Sequence, residues 1–387
     1  MSTNVNHAMT TPTKSVSSVA PAANDETSKK TMANSLAVRT LPTPRQLKKA
    51  IPLNETLSVQ VDQHRQQISD LLSGATAESN KFLIITGPCS LHDEEAALDY
   101  GRRLKLLNDQ LSDKLLIVMR TYIEKPRTTT GWKGLAYDPE RNGNGNIELG
   151  LTRSRSVLLK LVEMGLPLAV EALNPMTMQY IDDLISWTAI GARTAESQIH
   201  REMISHLAMP VGIKNGTDGS VDTAVNAMIS ASRSHHCLGT DIDGNIVMLD
   251  TPGNPDTHVV LRGGRNLTNY DADSIHRTLA QLEKAVDENT LHPKVIVDCS
   301  HDNAQKKHER QVDIAIEVIE QRVGLGKNAP NQGIAGIMLE SFIEPGKQGM
   351  SGPNQDGNLC YGLSITDPCL GWEQTEKLLK ALHARMA

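Results

Sequence analysis

The sequence predicts an α/β chain folded as a (β/α)8 TIM barrel, with an N-terminal extension and an inserted β-hairpin. Three observations carry this. Short apolar runs recur without polar alternation, as parallel strands covered on both faces require. Stretches with apolar residues three and four apart lie between many of them, the pattern of helices with one buried face. The chain is 387 residues long, 39% hydrophobic and 22% charged, a globular composition and a length that one large barrel can use. An open doubly wound sheet is the alternative architecture, because no internal repeat marks closure.

Met1 to Asn34 is rich in Ser, Thr, Asn, Ala and Pro and has too few large apolar side chains to offset the entropy of ordering. Residues 1–40 therefore read as a flexible tail. Residues 41–387 read as a single barrel domain that includes a helical extension. A helix is predicted around Leu57–Leu72, followed by the first strand at Phe82–Ile85. Further apolar runs are Leu115–Met119, Pro167–Val170, Ala189–Ala192, Pro210–Ile213, Cys237 with Leu238, Val259–Leu261, Val295–Val297 and Ile334–Leu339. A barrel uses all but one of these candidates. Ile246–Leu261, broken by Pro252-Gly253-Asn254-Pro255, reads as the inserted hairpin. Helical spacing is clearest at Ala97, Tyr100, Leu104, Leu107 and Leu111, and at Val312, Ala315, Ile316, Ile319 and Val323.

Lys and Arg total 39 against 45 Asp and Glu, a net charge of -6, and aromatics are 3%. Neither a basic surface nor a base-stacking platform for nucleic acid follows. No run approaches the roughly 18 apolar residues of a membrane span. The five cysteines, Cys89, Cys237, Cys299, Cys360 and Cys369, are odd in number and form no CxxC pair, against a disulfide framework or a zinc knuckle. The first thirty residues hold no apolar signal core, and no arginine precedes Arg39. A cytoplasmic protein without export is expected.

The residues that follow the apolar runs are Gly87-Pro88-Cys89-Ser90, Arg120, Glu171, Arg193, Lys214, Arg262, Asp298-Cys299-Ser300-His301 and Glu340. In a barrel these strand ends converge on one face. A lone strand-end arginine is ordinarily a surface ion pair. Four cations gathered in one mouth, Arg120, Arg193, Lys214 and Arg262, repel unless anions arrive, which suits a ligand with several negative charges. The loop Glu124 to Gly134 adds Lys125, Arg127, hydroxyls and glycines, and can hold a second phosphate. Cys89, His301, Glu340 and Asp367 offer one thiolate, one imidazole and two carboxylates. Taken singly, such a cysteine is usually a buried small hydrophobe and such a His or Asp is solvated. Together they form a set for a divalent metal, Mn, Fe, Co or Zn in preference to Mg.

At these residues the chain resembles class I 3-deoxy-D-arabino-heptulosonate 7-phosphate (DAHP) synthase. The resemblance rests on Gly87-Pro88-Cys89-Ser90, Glu124-Lys125-Pro126-Arg127-Thr128, Gly191-Ala192-Arg193-Thr194, Val211-Gly212-Ile213-Lys214-Asn215-Gly216-Thr217-Asp218-Gly219, Leu261-Arg262-Gly263-Gly264 and Ser364-Ile365-Thr366-Asp367, in order over about Leu41 to Leu382. It implies condensation of phosphoenolpyruvate with erythrose 4-phosphate at the entry to the shikimate route, with release of phosphate. It implies metal ligands at Cys89, His301, Glu340 and Asp367, phosphoenolpyruvate cations at Arg120, Lys125, Arg193, Lys214 and Arg262, and erythrose 4-phosphate contacts at Arg127 and Thr128. Lys125 is the expected proton donor to the aldehyde oxygen, with Cys89 and His301 as its catalytic companions in the metal set. Glu171 either orients the attacking water or neutralises a neighbouring cation, the second being favoured.

Three alternatives stand beside this reading: a Schiff-base aldolase using Lys214 as nucleophile, a related synthase acting on another phosphorylated sugar, and a non-catalytic effector-binding relative. The resemblance also implies a homo-oligomer, dimer or tetramer, and feedback by an aromatic amino acid. The effector pocket is expected near Asn174–Gln179, Ala208 and His235–Thr240. Leu238-Gly239 and Gly253-Asn254-Pro255-Asp256 resemble the tyrosine-sensitive branch, whereas Ile365-Thr366-Asp367-Pro368-Cys369-Leu370-Gly371-Trp372 resembles the tryptophan-sensitive one. Tyrosine is the expected effector. Departures from the family pattern are the polar N-terminus, the Gly143-Asn144-Gly145-Asn146 loop and extra residues between Arg262 and His301.

Overall fold

In the computed structural model, which describes residues 38–74, 76, 80–127, 129–286, 291–326, 329–350 and 358–386, eight parallel strands close into a barrel. They are β1 Phe82–Gly87, β2 Leu115–Arg120, β3 Leu168–Glu171, β4 Trp187–Ile190, β5 Val211–Lys214, β8 Thr257–Leu261, β9 Val295–Asp298 and β10 Ile334–Glu340. The expected tail Met1–Asn34 and the expected contact Thr128 lie outside the described residues. The chain divides between Thr40 and Leu41, and every element below belongs to Leu41–Ala387.

Every residue of the barrel strands is buried. One face of each strand meets the helices and the other fills the barrel, so the sequence shows runs instead of alternation. The lumen is packed by Leu83, Ile85, Leu116, Val118, Ala169, Trp187, Ala189, Val260, Ile296 and Met338, and Ile68, Leu71 and Leu72 belong to the same cluster. These last three come from helix α2, Glu55–Ser73, capped by Asn54. The helix read at Leu57–Leu72 is therefore the plug of the barrel. Each such buried apolar side chain contributes about 1.5–3 kcal/mol. The outer layer includes α3 Glu94–Leu111, α4 Ile147–Glu163, α6 Gln198–Ile204, α7 Asp222–Ala231, α8 Ala272–Ala285, α9 Arg310–Val323 and α10 Trp372–Arg385, with short α1 Pro44–Ala50 and α5 Pro175–Met178.

An inserted hairpin is present, but its strands differ from the expected Ile246–Leu261. It pairs β6, His235–Thr240, with β7, Ile246–Thr251, in register Leu238↔Met248. Cys237 and Leu238 form the run that the barrel does not use, and Val259–Leu261 belongs to β8, beside β5. The Pro-Gly-Asn-Pro break is the return from hairpin to barrel, not the bend within the hairpin. Its Asn254 side chain donates to Leu207 O and Met209 O at 3.1 and 3.0 Å, clamping that return. The fourth strand also starts and ends two residues earlier than the Ala189–Ala192 run, which places Gly191 and Ala192 on the mouth.

Candidate active site at the barrel mouth

Strand ends β1, β2 and β10 assemble the first cluster. Gly87 lets β1 approach β2 closely, since a Cβ there would lie 2.5 Å from Arg120 O. Arg120 is fully buried. It donates to Pro88 O at 3.1 Å, Cys89 O at 3.3 Å and Glu340 Oε1 at 2.9 Å, and its guanidinium carbon sits 3.6 Å from the Tyr122 ring centroid. A buried charge with this many partners is a fixed one. Glu340 is held in turn through its backbone by both ends of the Gln311 amide, at 2.8 and 3.1 Å.

Ligand atoms of Cys89, Glu340 and Asp367 lie within 4.8 Å of one another. Cys89 Sγ is 3.3 Å from Asp367 Oδ2 and accepts from Lys125 Nζ at 3.1 Å, while Lys125 Nζ lies 4.0 Å from Asp367. Burial, reinforced by Glu340, pushes the Cys89 thiol up to about 12. Burial works against charge on Lys125, but Cys89 and Glu340 outweigh it and hold the ammonium protonated. Burial would also raise the Asp367 acid, yet Lys125 and His301 keep it below the usual carboxylate range. A thiol and two carboxylates this close favour a divalent cation, which deprotonates a coordinated thiol.

His301 lines the same mouth as Asp367 but is not in the three-residue cluster. Its backbone is left-handed, φ +49°, an unusual state for a non-glycine residue that neighbouring bonds must hold. Nδ1 lies 2.8 Å from Asp298 Oδ2 and 2.7 Å from Ser300 Oγ. Orienting one ring nitrogen on a carboxylate is how a ligating imidazole is fixed with the other nitrogen presented. Asp298 is the hub of this part. It is fully buried, with Lys214 Nζ at 3.4 Å and Ser300 Oγ donating at 2.6 Å. Burial opposes its charge, but His301 and Lys214 hold its acid well below the ordinary range.

Between these groups opens a cavity of about 340 Å³ lined by Lys125, Arg127, Arg193, Lys214 and Arg262, with Glu171, His301 and Asp367. Five cations face two carboxylates there. Arg262 is oriented by Asp302 at 2.8 Å and donates its backbone N–H to Asn215 Oδ1 at 2.8 Å. Arg120 is beneath this cavity, not on its wall. Sequence reasoning gave no role to Asp298, although it stands at a strand end, nor to Glu124. Glu124 is buried, and burial raises its acid to about 7 against hydrogen bonds from Tyr137, Asn174 and Thr177.

A second cavity, about 390 Å³, lies between the β3–α5 connection, α6 and the hairpin. Asn174, Pro175, Met176, Gln179, Met203, Leu238, Gly239 and Leu249 are among its walls. Gln179 Nε2 closes one side on Thr240 O at 2.8 Å. Of the segments expected to form an effector pocket, Asn174–Gln179 and His235–Thr240 contribute, whereas Ala208 is not a wall residue. A Cβ on Gly239 would come 2.3 Å from Leu249 Cδ1, so glycine there spares Leu249, itself a wall.

With this geometry established, comparison with known proteins is specific. Residues 58–380 match the family model described as the DAHP synthetase I family. The chain is 48% identical over 343 residues to the Tyr-sensitive phospho-2-dehydro-3-deoxyheptonate aldolase of Escherichia coli (strain K12), covering 89% of this chain and 92% of that protein. It is 46% identical over 345 residues to the Trp-sensitive enzyme of the same organism, covering 89% and 94%. Among solved structures, phospho-2-dehydro-3-deoxyheptonate aldolase from Francisella tularensis SCHU S4 superposes with a TM-score of 0.84 at 39% identity, over 91% of this chain and 98% of that one.

Proposed function

The chain belongs to the DAHP synthetase I family, a family of transferases, and from that premise we propose that it joins phosphoenolpyruvate to erythrose 4-phosphate, yielding DAHP and phosphate. The observation that carries this is the cavity of five cations opening beside the Cys89, Glu340 and Asp367 cluster. Two phosphorylated substrates need such charge to be held together, and a divalent metal held by those three residues with His301 would polarise the aldehyde.

Arg193, Lys214 and Arg262 hold the phosphate and carboxylate of phosphoenolpyruvate, and Arg120 beneath them adds positive field while anchoring Glu340. Arg127 holds the aldose phosphate, with Thr128 as its expected neighbour. C3 of phosphoenolpyruvate attacks the aldehyde carbon while Lys125, kept protonated, supplies the proton to the aldehyde oxygen. Water then adds to C2, and C–O cleavage expels phosphate. Glu171 on the cavity wall orients that water or balances a cation. Lys214 lies 3.4 Å from buried Asp298 on the cationic wall of the cavity, which favours an anion-holding role over that of a Schiff-base nucleophile.

The reading includes feedback by tyrosine at the second cavity, a cytoplasmic homo-oligomer, dimer or tetramer, and residues 1–40 as a tail outside the catalytic unit. Among the described residues no helix is long and apolar enough to cross a membrane. The test is to follow phosphate release with both substrates, before and after chelation and with Mn, Fe, Co or Zn restored. One phosphate per phosphoenolpyruvate, lost on chelation and regained with metal, is expected. Phosphate release without erythrose 4-phosphate, or full activity after chelation, overturns it.

A further inference from the structure

A side bay of about 450 Å³ adjoins the mouth, sharing Arg127 and Asp367 with it and adding Lys347, Gln348 and Thr366. Lys347 stands on the segment between β10 and α10, and its backbone is pinned on both sides. Gly346 exchanges hydrogen bonds with Cys369 at 2.8 and 3.0 Å. On the other side Gln348 N–H donates to Ser364 O at 2.8 Å. The buried Gln348 side chain donates to Cys360 O and Leu363 O at 2.9 and 2.8 Å and accepts from Cys360 N–H at 2.8 Å. The exposed lysine is thus mounted on a rigid base. Among the described residues neither Lys347 nor Arg127 has a carboxylate within 4.0 Å, and Asp367, the acid on the bay's own wall, is already engaged by Lys125 and Cys89.

We propose that Lys347 is a further substrate-binding residue that, with Arg127, holds the phosphate of the phosphorylated aldehyde in this bay. The inference rests on the function proposed above and extends it to a residue outside the recognised motifs. Its logic is the division of two dianions. Arg193, Lys214 and Arg262 line the mouth alone, so they serve one substrate. The bay adjoins Asp367, beside which the aldehyde must sit, and none of those three cations is on its wall. A phosphomonoester at the far end of a short sugar then meets two cations, Asp367 on the same wall being already engaged by Lys125 and Cys89, and the two phosphates stay apart. Pinning the backbone that carries Lys347 before the ligand arrives lowers the ordering cost of binding.

The test is steady-state kinetics of Lys347→Ala, Lys347→Arg and wild type, varying each substrate in turn. Loss of one charge-assisted phosphate contact should raise KM for erythrose 4-phosphate about tenfold or more. KM for phosphoenolpyruvate and kcat should stay within about twofold, and arginine should restore most of the loss. An erythrose 4-phosphate KM within about twofold of wild type in Lys347→Ala, or an equal rise in both KM values, overturns the assignment. Absence of rescue by arginine also counts against it, since a charge at this place is what is claimed. If wild type itself fails to consume the two substrates, the broader functional reading fails instead.

Discussion

The mouth and the lateral cavity are close in volume, about 340 and 390 Å³, yet they are built from opposite materials. The mouth is walled by charges carried on the ends of barrel strands and on the loops that follow, and several are locked by buried partners such as Asp298 and Glu340. The lateral cavity is walled mostly by apolar surface, from side chains such as Met176, Ile199, Met203, Ile246 and Leu249 on a short helix, α6 and the inserted hairpin. On that hairpin Leu238, itself a wall residue, and its cross-strand partner Met248 are 81% and 72% exposed. Chemistry placed on strand ends inherits the rigidity of the closed sheet, whereas an apolar wall on an insertion can be reshaped one side chain at a time. On the proposed reading, the division lets catalysis and control be altered separately.

Six substitutions break or sharpen that division. Cys89→Ala, in the rigid mouth, should reduce turnover by more than the roughly 100-fold seen when only an outer partner of a metal ligand is lost. Metal content after gel filtration and kcat check it together, and a fully active, metal-retaining variant would dissolve the contrast. Next, Arg193→Ala and Lys214→Ala should lose about 2–5 kcal/mol in kcat/KM for phosphoenolpyruvate, while Arg127→Ala should lose a similar amount mainly for erythrose 4-phosphate. Equal losses for both substrates in all three would mean that the mouth has one undivided anion site.

Glu124 lies between the two regions, since Lys125 beside it lines the mouth and Asn174, whose N–H lies 3.5 Å from Glu124 Oε2, lines the lateral cavity. Burial raises its acid from 4.5 to about 7, so between those values the folded chain keeps a proton that the unfolded chain releases. The stability this contributes is present below pH 4.5 and lost as pH rises through 7. Glu124→Gln should therefore gain on wild type across that interval, on the order of 2 kcal/mol by urea denaturation. A difference that does not change with pH would show the carboxyl to be solvated. Smallest in effect on the chemistry, Gly239→Val should crowd Leu249 and relieve inhibition by about 1–3 kcal/mol of coupling with both substrate constants nearly intact. Lowered kcat with unchanged inhibition would put the residue in the wrong region.

The two regions were also unequally legible in the sequence. Arg193, Lys214, Arg262 and Glu340 follow apolar runs, and strand ends of a closed barrel must converge, so pattern alone brought them together. Cys89, Glu340 and Asp367 gather as that reading expects, while His301 lines the same mouth outside their cluster, with its Nδ1 turned to Asp298. That Lys214 reaches Asp298 is a fact of three-dimensional proximity with no linear signal, whereas His301 stands only three residues along the chain. The hairpin was misplaced for a local reason. Pro252-Gly253-Asn254-Pro255 looks like a hairpin bend, whereas the actual turn, Asp241-Ile242-Asp243-Gly244, is made by Asp241 accepting from the N–H groups of Asp243 and Asn245. The bay at Lys347 went unseen because nothing in the linear pattern distinguishes a pinned lysine from a solvated one.

The most direct test of the central claim, a charged mouth that condenses and an apolar cavity that controls, is the rate of phosphoenolpyruvate consumption by wild-type protein. It should be measured with and without erythrose 4-phosphate and with tyrosine, phenylalanine or tryptophan added in turn. Consumption that requires erythrose 4-phosphate and is suppressed by tyrosine is the predicted result. Consumption that ignores erythrose 4-phosphate would contradict the reading of the mouth, and a rate indifferent to all three amino acids would contradict the reading of the lateral cavity.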